Sequence, residues 1–130
     1  MAKILVIDPS PSDREILERR LKEARHDVMA IANPFSGLPT LWRNRPDVIV
    51  LEEVFPSHPD HTGAEAIADL KKDYPQAKFI IFSEAASKPG FVESDKARGA
   101  DAVVEKTAHA DCFNAVVAEV AELLQGRMIL

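Results

Sequence analysis

The sequence predicts an α/β sandwich of the doubly wound kind, with a five-stranded parallel sheet as its middle layer. Short apolar runs of strand length alternate five times with segments of helical period, the pattern left by parallel strands joined through covering helices. Two of these runs, VIVL (48–51) and FIIF (79–82), are apolar throughout, as strands covered on both faces must be. A chain of 130 residues can close one sizeable core, so residues 1–130 are expected to form a single domain.

The first strand is KILVID, from Lys3 to Asp8. The helix after it has Ser10 placed to cap, Pro11 suited to the first turn, and Ile16, Leu17, Leu21 and Ala24 as its buried stripe. Strand two, DVMAIA, begins at Asp27, and a helix is expected from about Asn33-Pro34, with Leu38, Leu41 and Trp42 inward and with Gly37 and Pro39 weakening it. Strand three is DVIVLE, Asp47 to Glu52, followed by helical spacing of Ala64, Ile67, Ala68 and Leu70 in the segment Ala64 to Tyr74. Strand four is KFIIFS, Lys78 to Ser83. The segment EAASKPGFVESDKARG after it is polar and broken at Pro89-Gly90, so any helix there is short. Strand five, DAVVE, begins at Asp101. A long amphipathic helix then carries Phe113, Val116, Val117, Val120, Leu123 and Leu124, with an end expected near Gly126.

A net charge of -5 gives no reason to expect a nucleic-acid partner. Arg19, Arg20, Lys22 and Arg25 alternate with Glu15, Glu18 and Glu23, which is the makeup of a solvated helix face. Cys112 is the only cysteine, so no disulfide framework or multi-thiolate metal site is available. No apolar run reaches the length of a signal sequence or a membrane span, and a cytoplasmic location is the expectation.

Open sheets of this kind place their working groups in the crevice at the carboxyl ends of the strands. Here those ends supply Asp8, then Glu52 and Glu53, then Ser83 and Glu84, then Glu105 and Lys106. Carboxylates, a hydroxyl and a lysine on one rim suit a divalent cation and a phosphoryl group, because carboxylates are hard oxygen ligands and lysine neutralises phosphate oxygens. The loop SHPDH (57–61) also offers His58, Asp60 and His61, but three ligands in one turn shaped by Pro56 and Pro59 read as solvent-exposed chain. His26 and His109, near helix ends, are assigned no role.

Four segments in order, KILVIDPSPSDREIL, RPDVIVLEEVFP, FIIFSE and RGADAVVEK, resemble those of the receiver domains of two-component response regulators. The resemblance covers nearly the whole chain. It implies a flavodoxin-like (βα)5 fold with strand order 2-1-3-4-5 and a role in signal transfer by phosphorylation or its imitation. Carried over position by position, Glu52 stands where the family has its phosphoacceptor aspartate, Ser83 matches the switch hydroxyl, and Lys106 matches the lysine that pairs with the phosphoryl group. Of the two adjacent acids after strand one, Asp8 is present and Pro9 replaces the other. Val103 stands for the usual aromatic switch and Thr107 for the proline after the lysine. Three extra residues lengthen the loop between Pro56 and Gly63.

Glutamate carries its carboxylate about 1.5 Å farther than aspartate does. Phosphoryl transfer depends on positioning and charge neutralisation, so a displaced acceptor and a missing metal-organising acid should depress it severely. The expectation is therefore a pseudo-receiver: not an enzyme, with Glu52 paired to Lys106 and also in reach of Ser83. No cofactor is required of it, and Mg2+ is held weakly at most, through Asp8 and Glu52, since Glu53 points to the opposite side. Its output would be contact with a protein partner, a histidine kinase or an effector, through the family's fourth-helix, fifth-strand and fifth-helix face, here Ala86 to Val104 plus the last helix. The alternatives are an active receiver with another acceptor and a flavin carrier of the same fold. The second is disfavoured because DPSPSD would repel a phosphate. A hydrolase is disfavoured too, since no histidine or cysteine ends a strand beside a nucleophile.

Overall fold

Backbone pairing in the computed structural model, which describes residues 2–35 and 45–128, follows the alternation read from the sequence. The elements are β1 (Lys3–Ile7), α1 (Pro11–Glu23), β2 (Asp27–Ile31), β3 (Val48–Leu51), α2 (Gly63–Asp73), β4 (Lys78–Ser83), a 3-10 turn (Glu84–Ser87), α3 (Phe91–Ala97), β5 (Ala102–Glu105) and α4 (Asp111–Met128). All strand pairs are parallel, in the order β2-β1-β3-β4-β5. The helix expected to begin near Asn33-Pro34 does not start there, since residues 33–35 are not helical, and its inward residues Leu38, Leu41 and Trp42 lie outside the described residues.

Side chains alternate across the sheet and make a core on each face. Ile4, Val6, Val48, Val50, Ile80 and Phe82 point one way, to meet Leu17 and Leu21 of α1 and Val116 and Val120 of α4. Leu5, Ile7, Ile49, Leu51, Phe79 and Ile81 point the other way, onto Ile67 and Leu70 of α2. Each such aliphatic side chain contributes about 1.5–3 kcal/mol on burial, which is what holds the short central strands in place.

Local chemistry sets the helix ends. Ser10 caps α1 by accepting the Asp13 N–H at 3.3 Å, with Pro11 in the first turn, and Thr62 caps α2 through the Glu65 N–H at 3.2 Å. After the Pro89-Gly90 break, Gly90 enters α3 with φ 78, a left-handed conformation that glycine adopts without strain. The last helix corrects one expectation, since α4 runs past Gly126 to Met128. Glycine ends a helix by turning left-handed at the residue beyond it, and Gly126 is not among the positive-φ glycines.

Candidate functional site

The sheet ladder continues one residue past three strands and thereby aims the groups at its carboxyl edge. The Glu52 N–H donates to Ile7 O at 3.0 Å, Asp8 N–H to Ile31 O at 3.0 Å, and Lys106 N–H to Ser83 O at 3.0 Å. Asp8, Glu52 and Ser83 are buried, at 2%, 7% and 0% exposure, so each must find its partners inside the protein.

They find them in one another. Ser83 Oγ donates to Glu52 Oε1 at 2.7 Å, and the Val54 N–H reaches the same oxygen at 3.2 Å. Lys106 Nζ lies 2.7 Å from Asp8 Oδ2, 2.9 Å from Asp13 Oδ2 and 3.0 Å from Glu52 Oε2. The first two contacts are hydrogen bonds. The third is an ion pair without hydrogen-bond geometry, and Glu52 Oε2 has no hydrogen-bond partner among the described residues. Asp8 Oδ1 accepts the Ser10 N–H at 2.9 Å, and Lys106 also stands 5.3 Å from the Phe82 ring centroid.

Electrostatics follow from this crowding. Burial raises the pKa of Asp8 above the ordinary aspartate value, against the pull of the Lys106 hydrogen bond and charge. Burial likewise raises that of Glu52, opposed by the Lys106 charge and by the Ser83 hydrogen bond. For Lys106, burial disfavours the ammonium, but the Asp8 hydrogen bond and the Asp8 and Glu52 charges overcome it and raise its pKa. The lysine stays charged at any physiological pH.

The predicted set of Asp8, Glu52, Ser83 and Lys106 is thus brought together. Glu53 does face away, as strand alternation requires: its Oε1 accepts the Ala64 N–H at 2.9 Å in the first turn of α2, and the Gly63 N–H donates to its carbonyl at 2.9 Å. Its carboxyl also meets the buried Asp95 of α3, whose Oδ2 has no partner. Burial and the adjoining Glu53 carboxyl raise the Asp95 pKa to about 7, against the charge of Arg98. Sequence reasoning missed both Asp13 and Asp95. Asp13 looks like an ordinary first-turn acid, and the one cue to its role is that α1 starts only three residues after Asp8. His58 and His61 flank Phe35, each with its ring centroid 5.1 Å from the phenyl centroid, and no metal-holding group of three acid, histidine or cysteine side chains occurs among the described residues.

The donor set does not fit a divalent ion as it stands. Pro9 has no side-chain oxygen where the second acid would be, and one oxygen of each of Asp8 and Glu52 is already paired with the Lys106 ammonium. Gly63 packs directly against the backbone of Glu52 and Glu53. A Cβ there would overlap the Glu52 carbonyl oxygen, a backbone atom that cannot swing aside. Gly63→Ala is accordingly expected to lower the unfolding free energy by about 1–3 kcal/mol in urea titrations, the range for forcing one extra carbon into packed structure.

A parallel sheet ordered 2-1-3-4-5, with an acid, a hydroxyl and a lysine converging at its carboxyl edge, defines a receiver-type signalling domain. The family model for the response regulator receiver domain matches residues 4–118, and the chain belongs to that family, the receiver domains of two-component signalling. Protein PilH of Pseudomonas aeruginosa is 32% identical over 73 residues, which span 56% of this chain and 58% of that protein. Chemotaxis protein CheY of Listeria monocytogenes is 28% identical over 112 residues, 85% of this chain and 91% of that one. Among solved structures, the Francisella response regulator 1452 receiver domain superposes with a TM-score of 0.80 at 20% identity, covering 98% of this chain and 99% of that chain. The Thermotoga maritima response regulator TrrA, solved in complex with Mg2+ and BeF, superposes with a TM-score of 0.73 at 24% identity, covering 95% and 99%.

Proposed function

We propose that this receiver domain works without phosphorylation, as a pseudo-receiver whose site is already filled by its own side chains and whose output is contact with a signalling protein. One observation carries the reading. Glu52, at the acceptor position, holds Ser83 and Lys106 at 2.7 and 3.0 Å, the two groups that the family resemblance assigns to gripping a phosphoryl group. With Ser83 buried, the Lys106 side chain 11% exposed and both engaged, a Glu52 carboxylate that is itself buried is poorly placed to attack phosphorus in line. The domain is then a binding module and not an enzyme, requires no cofactor, and acts in the cytoplasm on a protein partner such as a histidine kinase or an effector. A nucleic-acid partner is not part of this reading, given the acidic balance of the chain.

The test is intact-mass spectrometry after incubation with magnesium and acetyl phosphate, beside a variant carrying Glu52→Asp and Pro9→Asp. The native chain is expected to keep its mass while the double variant gains one labile phosphoryl group. Phosphoryl uptake by the native chain would instead establish a working switch with an unorthodox acceptor.

A further inference from the structure

We infer that α3 is held to the body of the domain by a proton latch, a hydrogen bond shared between the carboxyl groups of Asp95 and Glu53, so that the seating of this helix answers to pH. The inference goes beyond the pseudo-receiver reading and stands on the packing of α3 alone. α3 has seven residues, and its one buried side chain is an acid, Asp95, at 3% exposure. Phe91 and Val92 are half-buried, and Glu93, Ser94, Lys96 and Ala97 are exposed. A helix this short does not hold itself in water, so its place depends on what it buries.

Asp95 lies against Glu53, itself buried, whose Oε1 already accepts the Ala64 N–H at 2.9 Å. Asp95 Oδ2 has no hydrogen-bond partner among the described residues. Two buried carboxylates side by side repel and are short of donors, whereas one proton turns Asp95 into a donor and the pair into a hydrogen bond. Burial first, and the Glu53 carboxyl second, accordingly raise the Asp95 pKa to about 7. The other charges around the helix do not replace that proton. Arg98, at the end of α3, is exposed and opposes the shift without cancelling it. The 3-10 turn and the residue after it bring Glu84 and Lys88, β5 ends on Glu105, and α2 brings Glu65 and, over Gly99, Lys71; all five are exposed.

The helix is also joined on each side by a glycine that can absorb backbone rotation: Gly90 enters it at φ 78 and Gly99 follows it at φ 114. The seated carboxyl keeps its proton up to about pH 7, while a released one ionises near the ordinary 3.8. Attachment is therefore complete at low pH and weakens as pH rises through that interval. α3 belongs to the face that the family resemblance gives to partner contact, so the same proton would tune that face; this last step alone rests on the binding-module reading.

Amide hydrogen exchange of the full chain between about pH 5 and about pH 8, expressed as protection factors so that the intrinsic pH dependence of exchange drops out, would compare the native chain with Asp95→Asn and Glu53→Gln. The reporters are the Ser94, Arg98 and Ala100 amides, which donate to the Gly90, Ser94 and Asp95 carbonyls. In the native chain they are expected to be less protected than the amides of β3 and β4, and to lose at least about tenfold in protection over that range. Asp95→Asn should hold its α3 protection level throughout, and Glu53→Gln should lose less than the native chain. Native α3 protection that is flat in pH overturns the latch, as does a fall of the same size in Asp95→Asn. So do α3 amides that exchange only as slowly as those of the strands, because the helix then never leaves by itself. If Asp95→Asn does not fold, the native chain and Glu53→Gln still decide, since an equal fall in both overturns the inference. None of these readouts depends on the acetyl phosphate test, so the two readings fail separately.

Discussion

Replacing Lys106 with methionine is expected to lower the unfolding free energy by about 3–5 kcal/mol in urea, because it leaves carboxylates buried with no counter-charge. The side chain of Lys106 is 11% exposed, and those of Asp8 and Glu52 are 2% and 8% exposed, so screening by water and salt recovers little of the loss. The double variant Glu52→Gln with Lys106→Met should be less damaged than the sum of the two single variants, since one orphaned charge is removed along with its partner. A loss below about 1 kcal/mol, the level of an exposed pair, would show that the network carries no structural weight.

The second large effect is a pH dependence written by Asp95. Its carboxyl is buried against Glu53 in the folded chain, with a pKa of about 7 against 3.8 for an ordinary aspartate. Because the folded value is the higher one, the folded chain holds a proton that the unfolded chain has released. The associated stability is complete below pH 3.8, falls as pH rises, and is gone above about pH 7. Relative to Asp95→Asn, whose amide donates to Glu53 at every pH, the native folded-to-unfolded ratio should drop about tenfold per pH unit across that interval. Asp8 and Glu52, also raised, act in the same sense, but they are common to both proteins and cancel in the comparison. The Lys106 contribution is complete below its unfolded value of 10.5 and does not enter the window. Parallel stability curves for the two proteins, or an Asp95 carboxyl resonance titrating near pH 4 by carbon NMR, would remove the buried acid pair from the account.

The sheet was legible because each strand is either an unbroken apolar run or, at β2, a short run bounded by polar residues. The start of α1 was legible because Ser10 and Pro11 are cap and first-turn residues by their own chemistry. The core of the site was legible for a different reason: parallel strands put their last residues on one edge, so Asp8, Glu52, Ser83 and Lys106 meet whatever the helices do. What escaped was set by side-chain reach across elements. Asp13 and Lys106 are separated by 93 residues, and nothing periodic joins them. Asp95 looks like a surface acid on a seven-residue helix, and only the way α3 lies against the Glu53 loop buries it. The end of α4 was misplaced because a glycine stops a helix through its backbone angle, which composition does not reveal.

The Ser83 hydroxyl does two things at once: it donates to Glu52 and accepts the Ala85 N–H at 3.1 Å, where the 3-10 turn begins. The buried acid is therefore one atom away from the segment that leads into α3. In the proposed reading this link is made when the chain folds and has no separate release step, so the domain carries no memory of past stimulation. Such a module reports its own abundance. On that reading its message would change with how many copies are made, kept folded or destroyed.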